Sequence, residues 1–267
     1  MGTLSNNFDF TGRLGKVSAY TMRGHDGIVV RSRGGASKSR IKHAPSFEPT
    51  RMLNREWKGV TQVAKLIRDG LYALRPLADY NISGPLNALV KKIQVLDRLN
   101  PAGQRAILLS QHPDFIGSFN FNRKTLFDSM IRQPVSVSLD RSTGIFAVRI
   151  PSLQPSVSFF PHPFYVYFRM VLTATAVSDQ VPDEDTKKGY IQKTSLLPMY
   201  RALYTDWMQA NKLQPGIDYQ IPPLNKELPG PDMLLIAAGG VQYGVLTADG
   251  SIQLARYACA AKILMVG

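Results

Sequence analysis

The sequence predicts an α+β protein in which a basic N-terminal arm and a helical hairpin precede an antiparallel β-sandwich. Three observations carry this. Glycines crowd the first forty residues, an apolar stripe with alternating spacings of four and three begins near Pro49, and from about residue 116 the apolar period falls to two. The boundaries that follow are 1–46 for the glycine-rich basic arm, 47–115 for the helical segment and 116–267 for the antiparallel β-rich domain.

In the arm, Gly12 to Gly35 (GRLGKVSAYTMRGHDGIVVRSRGG) holds six glycines around two β-prone runs, Val17-Ser18-Ala19-Tyr20 and Ile28-Val29-Val30. Asp26-Gly27 between them is a hairpin-turn pair, because glycine reaches the positive φ that such turns require. After it, Gly34 to Lys42 has no period and many small and basic residues, the composition of a linker or of an arm ordered by a partner. The pattern GRLGKVSAY…RG…VVRSRGG resembles uncharacterised bacterial proteins with a glycine-rich basic N-terminal segment. That resemblance covers mainly the first forty residues, implies no activity and transfers no site.

In the helical segment, Leu53, Trp57, Val60, Ala64, Ile67, Leu71, Leu74 and Ala78 trace one face of a helix. Gly59 and Gly70 each weaken it by up to ~1 kcal/mol, and Pro76 ends or kinks it, so packing must hold it. A second helix starts near Ser83, with Ser83 as N-cap and Pro85 in the first turn, and buries Leu86, Leu89, Val90, Ile93 and Leu96. Asn100-Pro101 stops it and caps a short third helix through Ile107, Leu108 and Leu109, making a helical hairpin or a three-helix layer.

In the third segment, Val135, Val137 and Leu139 alternate with Ser136 and Ser138. Asp140 to Gly144 makes a turn, and Phe146, Val148 and Ile150 return, giving a hairpin with one wet face. Phe164, Val166, Phe168, Met170, Leu172, Ala174 and Ala176 mark one face of a long strand. Val245-Leu246 and Ile252-Gln253-Leu254 flank a turn at Thr247 to Gly250, and Ile263 to Val266 forms a last strand. Leu196 to Ala210 reads as a helix or a strand crossing, and Leu213 to Pro231, Pro-rich and polar, as a long surface loop. Short strands joined by turns make a sandwich, of which the immunoglobulin-like arrangement is one form, although its Cys…Trp…Cys hallmark is absent.

The charge is uneven. Residues 1–133 carry 21 Lys and Arg against 9 acids, and residues 134–267 carry 11 against 10, out of a net charge of +13. A basic half of this kind points to an anionic partner. Its candidate residues for binding an anion or a partner are Arg13, Lys16, Arg23, Arg31, Arg33, Lys38, Arg40 and Lys42, with Tyr20 and His25 among them.

Catalytic motifs fail on inspection. Gly15-Lys16 is followed by Val17 and has Phe10 where a phosphate loop needs glycine, and no G-x-G-x-x-G or G-x-S-x-G is present. His25, His43, His112 and His162 have no metal-ligand spacing, and the single cysteine, Cys259, reads as a buried core thiol. Asp179, Asp183, Glu184 and Asp185 form an acidic cluster that fits no calcium loop and reads as a solvated loop. No secretory signal or membrane-length apolar run is apparent, which makes the cytoplasm the default address.

The expectation is a non-enzymatic structural or assembly protein, without catalytic residues, metal or cofactor, that docks on copies of itself or on other proteins through its N-terminal arm. The alternative is a nucleic-acid-binding protein whose basic half makes sequence-independent phosphate contacts.

Overall fold

The computed structural model describes every residue except 1, 4–9, 23–26, 33, 184, 186–188, 195–198, 226–227 and 256–257. Helices and several antiparallel sheets make this an α+β chain. It divides into two compact units, Met1–Arg51 and Met52–Gly267.

In the first unit, β1 (Gly2–Thr3), β2 (Gly12–Leu14), β3 (Val17–Thr21) and β4 (Ile28–Ser32) form an antiparallel sheet in the order β1-β4-β3-β2. The expected pairing of the two β-prone runs is present, with Ala19 opposite Val30 and Tyr20 opposite Val29. Asp26 lies outside the described residues. Leu14 faces Val17 across a two-residue turn, and Gly15 supplies its left-handed conformation at φ +56°. The segment read as a linker contains a short helix, α1 (Lys38–His43), whose Arg40 amide donates to the Ser37 hydroxyl at 3.2 Å. Arg51 donates to the carbonyls of Ile41 and Ala44 at 3.0 and 2.9 Å, the first of which the end of α1 leaves open.

The second unit is built on α2 (Glu48–Gly70) from Met52 onward, a 3-10 segment (Tyr72–Leu77) and α3 (Ser83–Leu96). The expected stripe is buried from Val60 through Ala64, Ile67, Leu71 and Leu74. It departs at its start: Leu53 and Trp57 are 57% and 48% exposed, and the inward residue of that turn is Glu56. Polar partners converge on the Glu56 carboxylate, which rotates the apolar positions outward. Gly59 and Gly70 are buried where other side chains come close; a Cβ on Gly59 would sit 2.7 Å from the Tyr190 ring, and one on Gly70 would meet Thr175.

Ser83 is the first residue of α3 and not its cap. The Asn81 side chain accepts from the Ser83 amide at 3.0 Å, and the Ser83 hydroxyl accepts from Arg68 at 2.8 Å. Leu86, Val90 and Ile93 are buried as expected, whereas Leu96 is exposed. No third helix follows Asn100-Pro101. Gly103 takes φ +94°, which no right-handed helix contains, and the Asp97 carboxylate accepts amides of Leu99, Asn100 and Ala106 to hold an irregular loop. A 3-10 turn at Leu109–Gln111 and the short helices α4 (Asp114–Gly117) and α5 (Phe127–Met130) complete the helical elements.

The strands of this unit are β5 (Ser136–Asp140), β6 (Ile145–Ile150), β7 (Tyr167–Ser178), β8 (Gln180–Pro182), β9 (Tyr190–Gln192), β10 (Met199–Tyr204), β11 (Met208–Gln209), β12 (Ile217–Ile221), β13 (Met233–Leu246), β14 (Ile252–Leu254) and β15 (Ala260–Val266). A six-stranded sheet runs β10-β7-β13-β14, with β11 also on β7 and β15 also on β13. A three-stranded sheet runs β12-β6-β5, and β8 pairs with β9. The 136–150 hairpin is as expected, with Asp140 accepting from Ser142 and Thr143 to shape its turn.

One reading changes and one is decided. The stretch 213–231, read as a surface loop, contains β12, which pairs with β6 over Ile217 to Ile221. Of the two alternatives for Leu196 to Ala210, the described residues take the strand one, with β10 and β11 joined by Thr205 to Trp207 and residues 196–198 outside the description.

Helices and sheets of the second unit share their cores. Val171, Val177, Leu234, Ile236 and Ala238 of β7 and β13 pack against Val60, Ile67, Leu74 and Ile93 of the helical layer. The opposite faces, with Phe168, Met170, Leu172, Leu235 and Tyr243, pack against Phe146, Val148 and Ile150 of β6. The long strand is therefore buried on both faces, not one. Phe164 and Val166, assigned to its apolar face, precede it and are exposed.

Candidate functional site

The eight basic residues singled out from sequence separate into groups. The cross-strand register puts Arg13 of β2 opposite Ser18 of β3, and Ser18 opposite Arg31 of β4. Residues in one such row share a face of the sheet, so the two arginines stand about 10 Å apart at the backbone with a hydroxyl between them. Tyr20, two residues from Ser18, belongs to the same face, and the Arg31 guanidinium lies 5.4 Å from its ring centroid. Arg13, Ser18, Tyr20 and Arg31 line one open concavity of about 560 Å³.

Both arginines are exposed, and none of the residues of β2, β3 and β4 is acidic. This arrangement presents ten guanidinium N–H donors, a hydroxyl and an aromatic face to one anion or a run of them. Lys16 sits in the exposed β2–β3 turn. Lys38 and Lys42 are four apart on α1, sharing a helix face, while Arg40 turns toward the Phe47 ring at 5.9 Å. Arg23 and Arg33 lie outside the described residues.

The second unit contains polar constellations that sequence reasoning missed. Glu56 is fully buried; Lys91 bonds its carboxylate at 2.7 Å, the Gly103 amide at 2.8 Å, and Arg105 stands 3.9 Å away. Burial pushes the carboxyl upward, but these donors outweigh it and its pKa lies below the ordinary value. Beside it, Gln94 donates to the Tyr190 hydroxyl at 3.0 Å, which donates to the Arg105 carbonyl at 2.7 Å; burial and the Glu56 charge push the Tyr190 phenol up to about 12. This network fastens two helices, a loop and a strand, which gives it a structural purpose.

Asp179 is also fully buried, contrary to the solvated-loop reading. It accepts from the Ser110 amide and hydroxyl at 2.9 and 2.7 Å, and desolvation raises its pKa. Asp183 and Asp185 remain nearer the surface, and Glu184 lies outside the described residues. Cys259 is buried in the core, as expected. Among the described residues no three of His, Cys, Asp and Glu gather as a metal site, and no helix is long and apolar enough to cross a membrane. His25 lies outside the description, His43 is exposed, and the His162 ring rests 4.9 Å from Tyr165.

A third constellation surrounds Arg169 on β7. Its Nε donates to Gln242 at 2.7 Å, and its guanidinium carbon lies 4.6 Å from the centroids of both Tyr204 and Trp207. No contiguous motif marks this set, because the four residues come from three strands and the loop between β10 and β11.

No protein-family model matches the chain, and neither a curated protein nor a solved structure matches it.

Proposed function

We propose that this chain is a non-enzymatic nucleic-acid-binding protein whose N-terminal unit takes phosphates through the β2–β3–β4 face. The observation that supports this most is the Arg13–Ser18–Arg31 row, aligned by strand register and flanked by the Tyr20 ring. Nine Lys and Arg stand against three acids in residues 1–51, which adds long-range attraction for a polyanion. Phosphate contacts of this kind are largely sequence-independent, and an aromatic face adds stacking for an unpaired base.

The test is fluorescence anisotropy of labelled single-stranded and duplex oligonucleotides against salt, on the full chain and on Arg13→Gln/Arg31→Gln. Binding should weaken as salt rises from about 50 to 200 mM, and losing two phosphate contacts should flatten the single-strand log–log slope by about 1.4. An unchanged slope and affinity in the double variant would remove this face as the site.

A second reading is assembly with copies of this chain or with other proteins. Leu53 and Trp57, four apart on α2, are both about half exposed, and the edge strand β2 exposes Leu14 at 70%. Apolar side chains in these places suit a protein contact, with the three- and six-stranded sheets read as an antiparallel sandwich that carries it. Light scattering at rising concentration after nuclease treatment separates the two readings: growth without nucleic acid favours assembly.

A further inference from the structure

The geometry points to a second binding site, centred on Arg169 in the Met52–Gly267 unit, for a phosphate carried on a planar aromatic body such as a nucleoside monophosphate. It belongs to a different unit from the N-terminal face and does not rest on that reading.

A β-bulge builds the site. The register runs from Tyr204 opposite Val171 to Met208 opposite Phe168, so three residues, Thr205 to Trp207, stand against two, Arg169 and Met170. Thr205 pins the extra residue, its amide donating to the Met170 carbonyl at 3.1 Å and its hydroxyl accepting from the Met170 amide at 3.0 Å. Trp207 packs against Gly244 of β13, where a Cβ would stand 2.9 Å from the indole. The bulge and the glycine together bring the indole beside Arg169. Bulges re-aim side chains in this way next to functional sites.

Among the described residues no carboxylate pairs with Arg169, and of its guanidinium nitrogens only Nε is hydrogen-bonded to them. The four Nη–H donors form a fork of the shape that phosphate or carboxylate oxygens fill, on a residue that is partly exposed. Tyr204 lies over the guanidinium; four residues along β10 on the same face, Tyr200 has its ring centroid 4.7 Å from that of Tyr72, and each of the three is more than two-fifths exposed. A cationic fork beside exposed rings suits a ligand that is anionic at one end and flat at the other, with the rings stacking a base while the guanidinium takes the phosphate.

Trp57 and Trp207 are the chain's two tryptophans, so a Trp57→Phe background makes fluorescence report on Trp207 alone. In that background we would titrate AMP, adenosine, inorganic phosphate and a 12-mer of deoxyadenosine. The expected result is saturable quenching by AMP, at least about tenfold tighter than by adenosine or by inorganic phosphate, because ring and anion must both be engaged. Arg169→Gln should weaken AMP about tenfold or more, and Arg169→Lys nearly as much, since an ammonium lacks the planar fork.

Saturation by the 12-mer with AMP inactive supports the site and makes a strand the source of the phosphate. Absence of saturable quenching by both AMP and the 12-mer overturns the proposal. So does adenosine matching AMP, which leaves the guanidinium no part to play. These two comparisons use intact Arg169, so they decide the matter even if its variants fold poorly. An N-terminal Arg13→Gln/Arg31→Gln protein that still binds AMP here keeps the two sites distinct.

Discussion

Replacing Glu56 with alanine should be among the most damaging single changes outside the hydrophobic core. The side chain is fully buried and accepts from the Lys91 ammonium at 2.7 Å and the Gly103 amide at 2.8 Å. Removing one partner of a buried ion pair costs about 3–5 kcal/mol, and hydrogen bonds to charged groups contribute about 1.5–3 kcal/mol each. Lys91 keeps 29% of its side chain exposed and can turn to water, so the lower end applies, about 3 kcal/mol. For a domain of this size, that lowers Tm by about 6–12 °C. Glu56→Gln, which keeps one acceptor for Gly103, should cost about half as much.

The pH dependence follows from the direction of the shift. The folded-state pKa of Glu56 lies below its ordinary value of 4.5, so its stabilisation is complete above that value and is lost as pH falls through the folded value. The advantage of wild type over Glu56→Gln in urea melts should therefore be constant near neutrality and shrink below about pH 4.5. A Glu56→Ala protein melting within about 2 °C of wild type, or a difference from Glu56→Gln that grows on acidification, would refute the reasoning.

Two further substitutions test the packing. Gly59→Ala, which on an exposed helix would stabilise by up to about 1 kcal/mol, should instead destabilise by about 1–3 kcal/mol in chemical denaturation, because its Cβ would stand 2.7 Å from the Tyr190 ring. Asn122→Ala should cost about 3 kcal/mol or more by calorimetry, since the buried amide donates to the Leu77 and Cys259 carbonyls at 2.8 and 2.9 Å and accepts the Ala261 amide at 2.8 Å, leaving three backbone groups without it.

Local pattern sufficed at three elements with one face buried and the other wet. The 136–150 hairpin, the 17–32 pairing and the buried run from Val60 to Leu74 were legible for that reason. It failed where burial is two-sided. Met233 to Tyr243 (MLLIAAGGVQY) has no alternation because β13 lies between a helical layer and a second sheet, so its period carries no signal. It failed again at β12, where pairing with β6 overrides a proline-rich, polar composition.

The sequence by itself determined the basic asymmetry and the residues that make it, since charge is a property of composition. It could place Arg13 and Arg31 only in the same segment; strand register, a long-range hydrogen-bonding decision, put them in one row with Ser18. Likewise, the sequence around Trp57 read as apolar stripe, and only the meeting of Lys91, Gly103 and Arg105 turned Glu56 inward. Arg169 has no local sequence signal; a one-residue bulge thirty-six residues later brings Trp207 beside it. Such contacts depend on which distant backbones share a sheet, and no local pattern encodes that choice.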